Sequence, residues 1–194
     1  MSDKLQTSDQ IAELLVHVGR AARSEDADSA LTAAQWTCLR FFARANGSTR
    51  TPSAFASFQA TTRGTASQII KSLERIGLVT GTRSDRDRRS MSFDLTDQGC
   101  AMLAQDPLRD LIEMIDALGA AEREPFLTTL SRLASTLSKQ RGRPAFGTCQ
   151  DCAYFTTSGD TAFCACMAEE LAAVDTPKLC ASYMPALGPQ RKGN

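Results

Sequence analysis

Apolar positions along this chain fall mostly into helical stripes, and only once into a strict alternation. From Ser8 to Arg23, Ile11, Leu14, Leu15 and Val18 recur at helical spacing, and Ser8 or Asp9 is placed to cap the helix. Thr32 to Ala45 opens on a threonine cap and shows Trp36, Leu39, Phe42 and Ala43 on one face. Asn46-Gly47-Ser48 ends it, with Gly47 as a left-handed terminator. Thr51-Pro52-Ser53 starts a short helix to Phe58, with proline at its favoured first position. Phe55 and Phe58 point from it to the core. After the turn Gln59–Thr62, a helix from about Arg63 to Ile76 buries Ala66, Ile69, Ile70 and Leu73 and stops at Gly77.

The alternation comes next. Met91, Phe93 and Leu95 interleave with Ser92 and Asp94, as in a half-exposed strand. It pairs with Leu78–Thr82 across a connection, 83–89, that contains no apolar residue and therefore projects. Thr96 caps a helix running past Cys100, and Pro107 interrupts or restarts it. Leu108, Leu111, Ile112, Ile115 and Leu118 form another stripe. Phe126, Leu130, Leu133 and Leu137 mark a helix from Ala120 to Lys139. These stripes exceed what a small core needs and suit a helical dimerisation platform. Residues 141–148 break every period and read as a linker. Beyond it lie short irregular segments, with one short helix expected at Met167–Val174.

The predicted fold is mainly α with a small β-hairpin wing. It comprises an N-terminal dimerisation helix (1–30), a winged helix-turn-helix (31–99), C-terminal dimerisation helices (100–140), a linker (141–148) and a cysteine-rich tail (149–194). A length of 194 residues supports one core and a small appendage. No apolar run reaches the length of a membrane span, and the first ten residues lack a signal-peptide core, so a cytoplasmic protein is expected.

Formal net charge is zero, but its distribution is uneven. Between Thr62 and Phe93 stand seven basic residues against three acidic ones, whereas the tail has three basic against five acidic. Such a local field attracts a polyanion. The major groove of DNA admits one helix. Arg63, Thr65, Ser67 and Gln68 lie on the exposed face near the helix start, placed for base edges, and Lys71 one turn on is placed for a phosphate. Arg86, Arg88 and Arg89 in the projecting loop suit a narrow minor groove, with Asp85 and Asp87 as braces for the arginines. His17, the only histidine, reads as a surface or interface residue.

The run Gly64–Val79, the Asp87-Arg88-Arg89 motif and Leu95-Thr96-Asp97-Gln98-Gly99 are similar to the recognition helix and wing of MarR-type transcription regulators. The resemblance spans roughly residues 8–140. It implies a homodimer on a pseudo-palindromic operator in double-stranded DNA, usually acting as a repressor and dimerising through its N- and C-terminal helices. By position, Arg88 matches the family's wing arginine, and Arg86 is the variable tip. Many relatives bind small effectors between the platform and the DNA-binding lobe; others sense oxidants through cysteine. The tail lies outside the resemblance.

Five of the seven cysteines fall within that tail, as Cys149-x2-Cys152-x11-Cys164-x-Cys166-x13-Cys180. Clustered cysteines in a reducing compartment point to metal rather than disulfides. A C-x2-C pair lets two thiolates hold one metal from a tight turn, and four ligands complete a zinc site or an iron–sulfur cluster. Cys149, Cys152, Cys164 and Cys180 are the expected ligands, with Cys166 as the alternative to Cys164. Tyr154, Phe155, Phe163 and Tyr183 flank them as a shield. A 4Fe-4S cluster is the first expectation and zinc the second; Cys38 and Cys100 read as structural.

The sequence therefore predicts a non-enzymatic DNA-binding regulator whose affinity follows the state of an iron–sulfur cluster, sensing redox, oxygen, nitric oxide or iron status through dimer geometry. A regulator with structural zinc and a small-molecule effector is the alternative. An iron–sulfur electron-transfer protein is the alternative of another class; paired carboxylates, a Ser/His constellation and a phosphate-binding glycine loop are all lacking.

Overall fold

The computed structural model describes residues 2–22, 29–83, 91–159 and 161–186, with side chains from Thr7 onward. Seven helices and three small antiparallel sheets occupy these residues. Helix α1 spans Ser2–Ala21. It is already running at Ser8 and Asp9, so neither is its cap. Helix α2 (Ala33–Arg44) begins with a full capping box. Thr32 Oγ1 accepts the Gln35 amide, and the Gln35 side chain returns to the Thr32 amide.

Gly47 does not terminate α2 in a left-handed conformation. Ala45 leaves the helix extended (φ −74°, ψ 143°), and Gly47 is not among the positive-φ residues. Asn46 makes the turn instead: its Oδ1 accepts both the Thr49 amide and Ser48 Oγ, each at 3.0 Å. An asparagine side chain can replace the backbone acceptor that a glycine turn would provide. Helix α3 (Pro52–Phe58) is capped by Thr51. Phe55 is fully buried, whereas Phe58 is 40% exposed with its ring tilted against that of Phe41 at a centroid distance of 5.1 Å.

Helix α4 (Arg63–Arg75) packs Ala66, Ile70 and Leu73 onto α2 and α3. At Gly77 (φ +75°) the chain reverses into strand β1 (Val79–Arg83). β1 pairs with β2 (Met91–Leu95), from Val79 opposite Leu95 to Arg83 opposite Met91. Phe93 alone in β2 is buried, and its ring lies 5.7 Å from that of Phe42. Thr96 caps α5 (Asp97–Leu103) and also donates from its hydroxyl to the Gly77 carbonyl at 2.5 Å. This ties the wing's exit to its entry.

One core, built on Phe41, Phe42, Phe55, Leu39, Ile70 and Leu73, unites these elements. The remaining helices are different. Neither α6 (Leu108–Asp116) nor α7 (Ala120–Gln140) contains a buried residue. Ile112 and Met114 on α6, Phe126, Leu133 and Leu137 on α7, and Ile11, Leu14 and Val18 on α1 are all at least two-fifths exposed. Helices draw most of their stability from packing an apolar face, and one chain does not supply it here.

The segment 141–148, expected as a linker, is anchored. Phe146 sets its ring 5.3 Å from Phe58 and 6.4 Å from Phe41, and Gly147–Thr148 form strand β3. The expected helix at Met167–Val174 does not form. Strands β4 (Phe155–Ser158), β5 (Thr161–Cys164) and β6 (Glu169–Leu171) make a three-stranded meander, and β3 pairs with β7 (Leu179–Cys180). No helix among the described residues is long and apolar enough to cross a membrane.

Candidate nucleic-acid interface and thiol site

The presentation of α4 begins in the turn before it. Ala60 takes a positive φ of 56°, and the Thr61 amide returns to the Ala56 carbonyl at 3.0 Å. Thr62 then caps the helix, accepting the Thr65 amide at 3.1 Å. Behind the helix, Gln35 Nε2 donates to Ser72 Oγ at 3.0 Å, which locks α4 to α2.

With the apolar face fixed inward, Arg63, Thr65, Gln68 and Lys71 are exposed along the outer face. Ser67 is half-buried at its border. Thr65 is also engaged in the cap, its hydroxyl 2.9 Å from that of Thr62. The helix thus presents two cations and a side-chain amide in two turns. Those groups match phosphate oxygens and base edges in a major groove.

The wing stems are well held. Phe93 donates its amide to the Arg50 carbonyl (2.8 Å), and the Arg50 guanidinium pairs with Asp94 and donates to the Ala45 carbonyl. Arg86, Arg88 and Arg89, with Asp85 and Asp87, lie outside the described residues. The sequence gives no signal for Arg50: it is one more arginine in a polar loop until the fold sets it against β2.

The tail brings four of its five cysteines together. Cys149–Asp151 form a single 3-10 turn, and the Cys152 amide closes onto the Cys149 carbonyl at 3.0 Å. Cys180 lies in β7 opposite Gly147, two residues before Cys149. Cys164 ends β5 opposite Phe155, three residues after Cys152. Cys149, Cys152 and Cys180 are buried, Cys164 is half-buried, and Cys166 is exposed. Burial pushes the Cys149 thiol up to about 11, with further contributions from Cys180, Cys164, Cys152 and Asp175. Cys166 is not among these neighbours.

The Met184 amide donates to Cys152 Sγ at 3.5 Å. Among the described residues, no three Cys, His, Asp or Glu side chains already stand at the separation that holds a metal ion. The donor set, four gathered thiols with three buried, still fits a thiophilic metal or cluster.

The aromatic residues expected to flank the thiols differ in exposure. The ring of Tyr183 covers Gly147 so closely that an added Cβ would lie 2.6 Å from it. Tyr154 and Phe155 are half-buried. Phe163 is exposed, because side chains alternate along a strand and its neighbour Cys164 takes the opposite face.

Residues 31–90 match the family model described as MarR family. No curated protein matches the chain significantly. Among solved structures, the chain is similar to the transcriptional regulator BldR from Sulfolobus solfataricus at 22% identity and a TM-score of 0.54, covering 69% of this chain and 96% of that one. It is also similar to Streptococcus pneumoniae FabT in complex with DNA, at 20% identity and a TM-score of 0.52, covering 71% of this chain and 99% of that one. A MarR family transcription regulator gives 21% identity and a TM-score of 0.53, covering 71% and 95%. The chain therefore has the MarR-like winged-helix fold.

Proposed function

We propose that the protein is a dimeric MarR-type transcription regulator that binds double-stranded DNA sequence-specifically and acts as a repressor. The observation that carries this reading is the outer face of α4, where Arg63, Gln68 and Lys71 stand exposed beside a firmly held wing. Arg63 and Gln68 read base edges, and Lys71 takes a phosphate. In this reading Arg86, Arg88 and Arg89 supply the cations for the minor groove. The uncovered apolar faces of α1, α6 and α7 support a second copy of the chain as their partner. The likeness of the fold to FabT, solved in complex with DNA, also supports the reading.

Selection of duplexes from a random pool, followed by titration across salt, tests it. A palindromic consensus is expected, and Arg88→Ala greatly weakens binding to it while the protein stays folded. No enrichment, or unchanged binding by Arg88→Ala, counts against the assignment.

The tail is the sensing element in this reading. Cys149, Cys152, Cys164 and Cys180 hold an iron–sulfur cluster whose presence alters DNA affinity. Occupancy switches with a coupling of about 1–3 kcal/mol. Anaerobic purification decides the cofactor: a brown protein with matched iron and sulfide supports the cluster, and a colourless one with stoichiometric zinc sinks it.

A second reading makes the tail a structural zinc staple and an organic molecule the signal. Two observations favour it. The C-x2-C pair in one tight turn, with an amide donor on Cys152, suits a single zinc ion. A cleft of about 340 Å³ lies between the α3–α4 turn and the segment after α7, lined by Ser53, Ser57, Arg63 and Arg143. A small anion seated there would engage Arg63 and withdraw it from DNA.

A further inference from the structure

The cysteine tail does not hang free after α7. Its last strand lies against the loop between α2 and α3. Leu179, just before Cys180, accepts the Asn46 amide at 2.9 Å and bridges Ala45 in parallel register. Ala181, just after Cys180, donates its amide to Thr49 Oγ1 at 2.8 Å. Thr49 is only 1% exposed, so the acceptor of this contact is buried. The peptide that carries Cys180 is therefore gripped on both sides of the cysteine.

The same loop holds the DNA-facing elements. Arg50 accepts the Phe93 amide and pairs with Asp94 on β2. Thr51 Oγ1 accepts the Ala54 amide and so caps α3, which leads into α4. The loop is bounded by the thiol-bearing strand on one side and the wing on the other.

We propose that the loop Ala45–Thr51 couples the thiol site of each chain to the wing of the same chain, with Thr49 as the clasp. This rests on the reading of the tail as a metal site. The β3–β7 ladder has only two residue pairs, too few to hold a strand by itself. A metal drawing Cys180 towards Cys149, Cys152 and Cys164 fixes that strand. Without the metal, Leu179 and Ala181 loosen, Asn46 and Thr49 lose their partners, and Arg50 holds β2 less firmly. Coupling is reciprocal: DNA held by the wing strengthens metal retention by the factor by which metal strengthens DNA binding.

The test is amide hydrogen exchange on the full chain, metal-free and loaded with Zn2+, with metal content measured alongside. In the wild type, Zn2+ slows exchange of the Asn46 and Phe93 amides by about tenfold or more. Thr49→Val binds the same amount of Zn2+, yet Phe93 slows less than about twofold. Thr49→Ser, which keeps the hydroxyl, restores the slowing. Zn2+ uptake without any change at Asn46 and Phe93 overturns the coupling and leaves the thiol site standing. Full slowing in Thr49→Val overturns the clasp. A wild-type chain that takes up neither Zn2+ nor, after reconstitution, iron overturns the metal-site reading and the coupling with it. The wild-type arm decides the matter alone if Thr49→Val does not fold.

Discussion

Replacing Gly99 by alanine tests the junction between wing and platform. Gly99 stands in the first turn of α5, and its amide donates to Thr96 Oγ1 at 3.1 Å. A Cβ built there would run into the Leu78 carbonyl oxygen and lie 3.1 Å from its carbon and 3.4 Å from Leu95 Cγ. The obstacle is backbone, so no side-chain rotation relieves it. The peptide of Leu78 must retreat, and that carbonyl also accepts the Thr96 amide at 3.2 Å. Overpacking costs about 1–3 kcal/mol, and the stretched hydrogen bond adds about 1 kcal/mol. For a chain of this length, a total of about 2–4 kcal/mol lowers Tm by about 4–16 °C. Thermal unfolding followed by far-ultraviolet circular dichroism reads it directly. Gly47→Ala is the control: nothing lies within 4 Å of its added Cβ, and its φ is outside the left-handed region. That variant is neutral or stabilised by up to about 1 kcal/mol. A Gly99→Ala protein melting within a degree of wild type would refute the steric argument.

Three other outcomes follow from the packing. Thr62→Ala removes the cap of α4, which costs about 1 kcal/mol; denaturant titration and the affinity for the selected duplex both register it. Phe146→Ala detaches the segment after α7 from Phe41 and Phe58, so limited proteolysis between 141 and 148 accelerates while the winged core stays resistant. Cys38 is fully buried, and burial drives its thiol far above the ordinary 9.0, whereas Cys100 is exposed. At pH 8 a thiol reagent labels Cys100 in the folded protein, and Cys38 only after unfolding, as peptide mass mapping shows. Because the folded-state value of Cys38 is raised, its effect on stability is constant below about pH 9. Stability falls as pH rises past that value, since only the unfolded state releases the proton there.

The helices were legible because each carries an apolar stripe of regular period, buried within the chain on α2, α3 and α4 and left exposed on α1, α6 and α7. Thr32, Thr51 and Thr96 announce their helices, since a hydroxyl at that position satisfies an amide the helix cannot. Failures concentrate where partners are distant in sequence. Thr49 and Ala181 are 132 residues apart, and nothing local in either marks the contact. Phe146 looks like a linker residue until Phe41 and Phe58 receive it. The region 167–174 is rich in helix formers, but β5 offers a ladder to Glu169–Leu171, and tertiary pairing overrides propensity. Of the residues proposed to face DNA, exposure of Arg63, Gln68 and Lys71 followed from the period of the helix. The partial burial of Ser67 at the edge of the stripe was beyond that resolution. Cysteine spacing named the tail thiols and put Cys164 ahead of Cys166; in the structure Cys164 is half-buried opposite Phe155, and Cys166 is exposed.

The bare apolar stripe of α1 has a consequence for how the protein is made. The exposed Ile11, Leu14 and Val18 leave the ribosome before α6 and α7 do. The exposed stripes suited to cover them, on α6 and α7, begin only at Leu108. Roughly ninety residues separate the two, and at about 5–20 residues per second the first helix waits on the order of 5–20 s. During that interval it is a sticky amphipathic segment on a nascent chain. Neighbouring chains on one message, or a chaperone, meet that surface before the platform exists. In the proposed dimer, pairing during translation gives the stripe a partner sooner than pairing between finished chains in dilute solution.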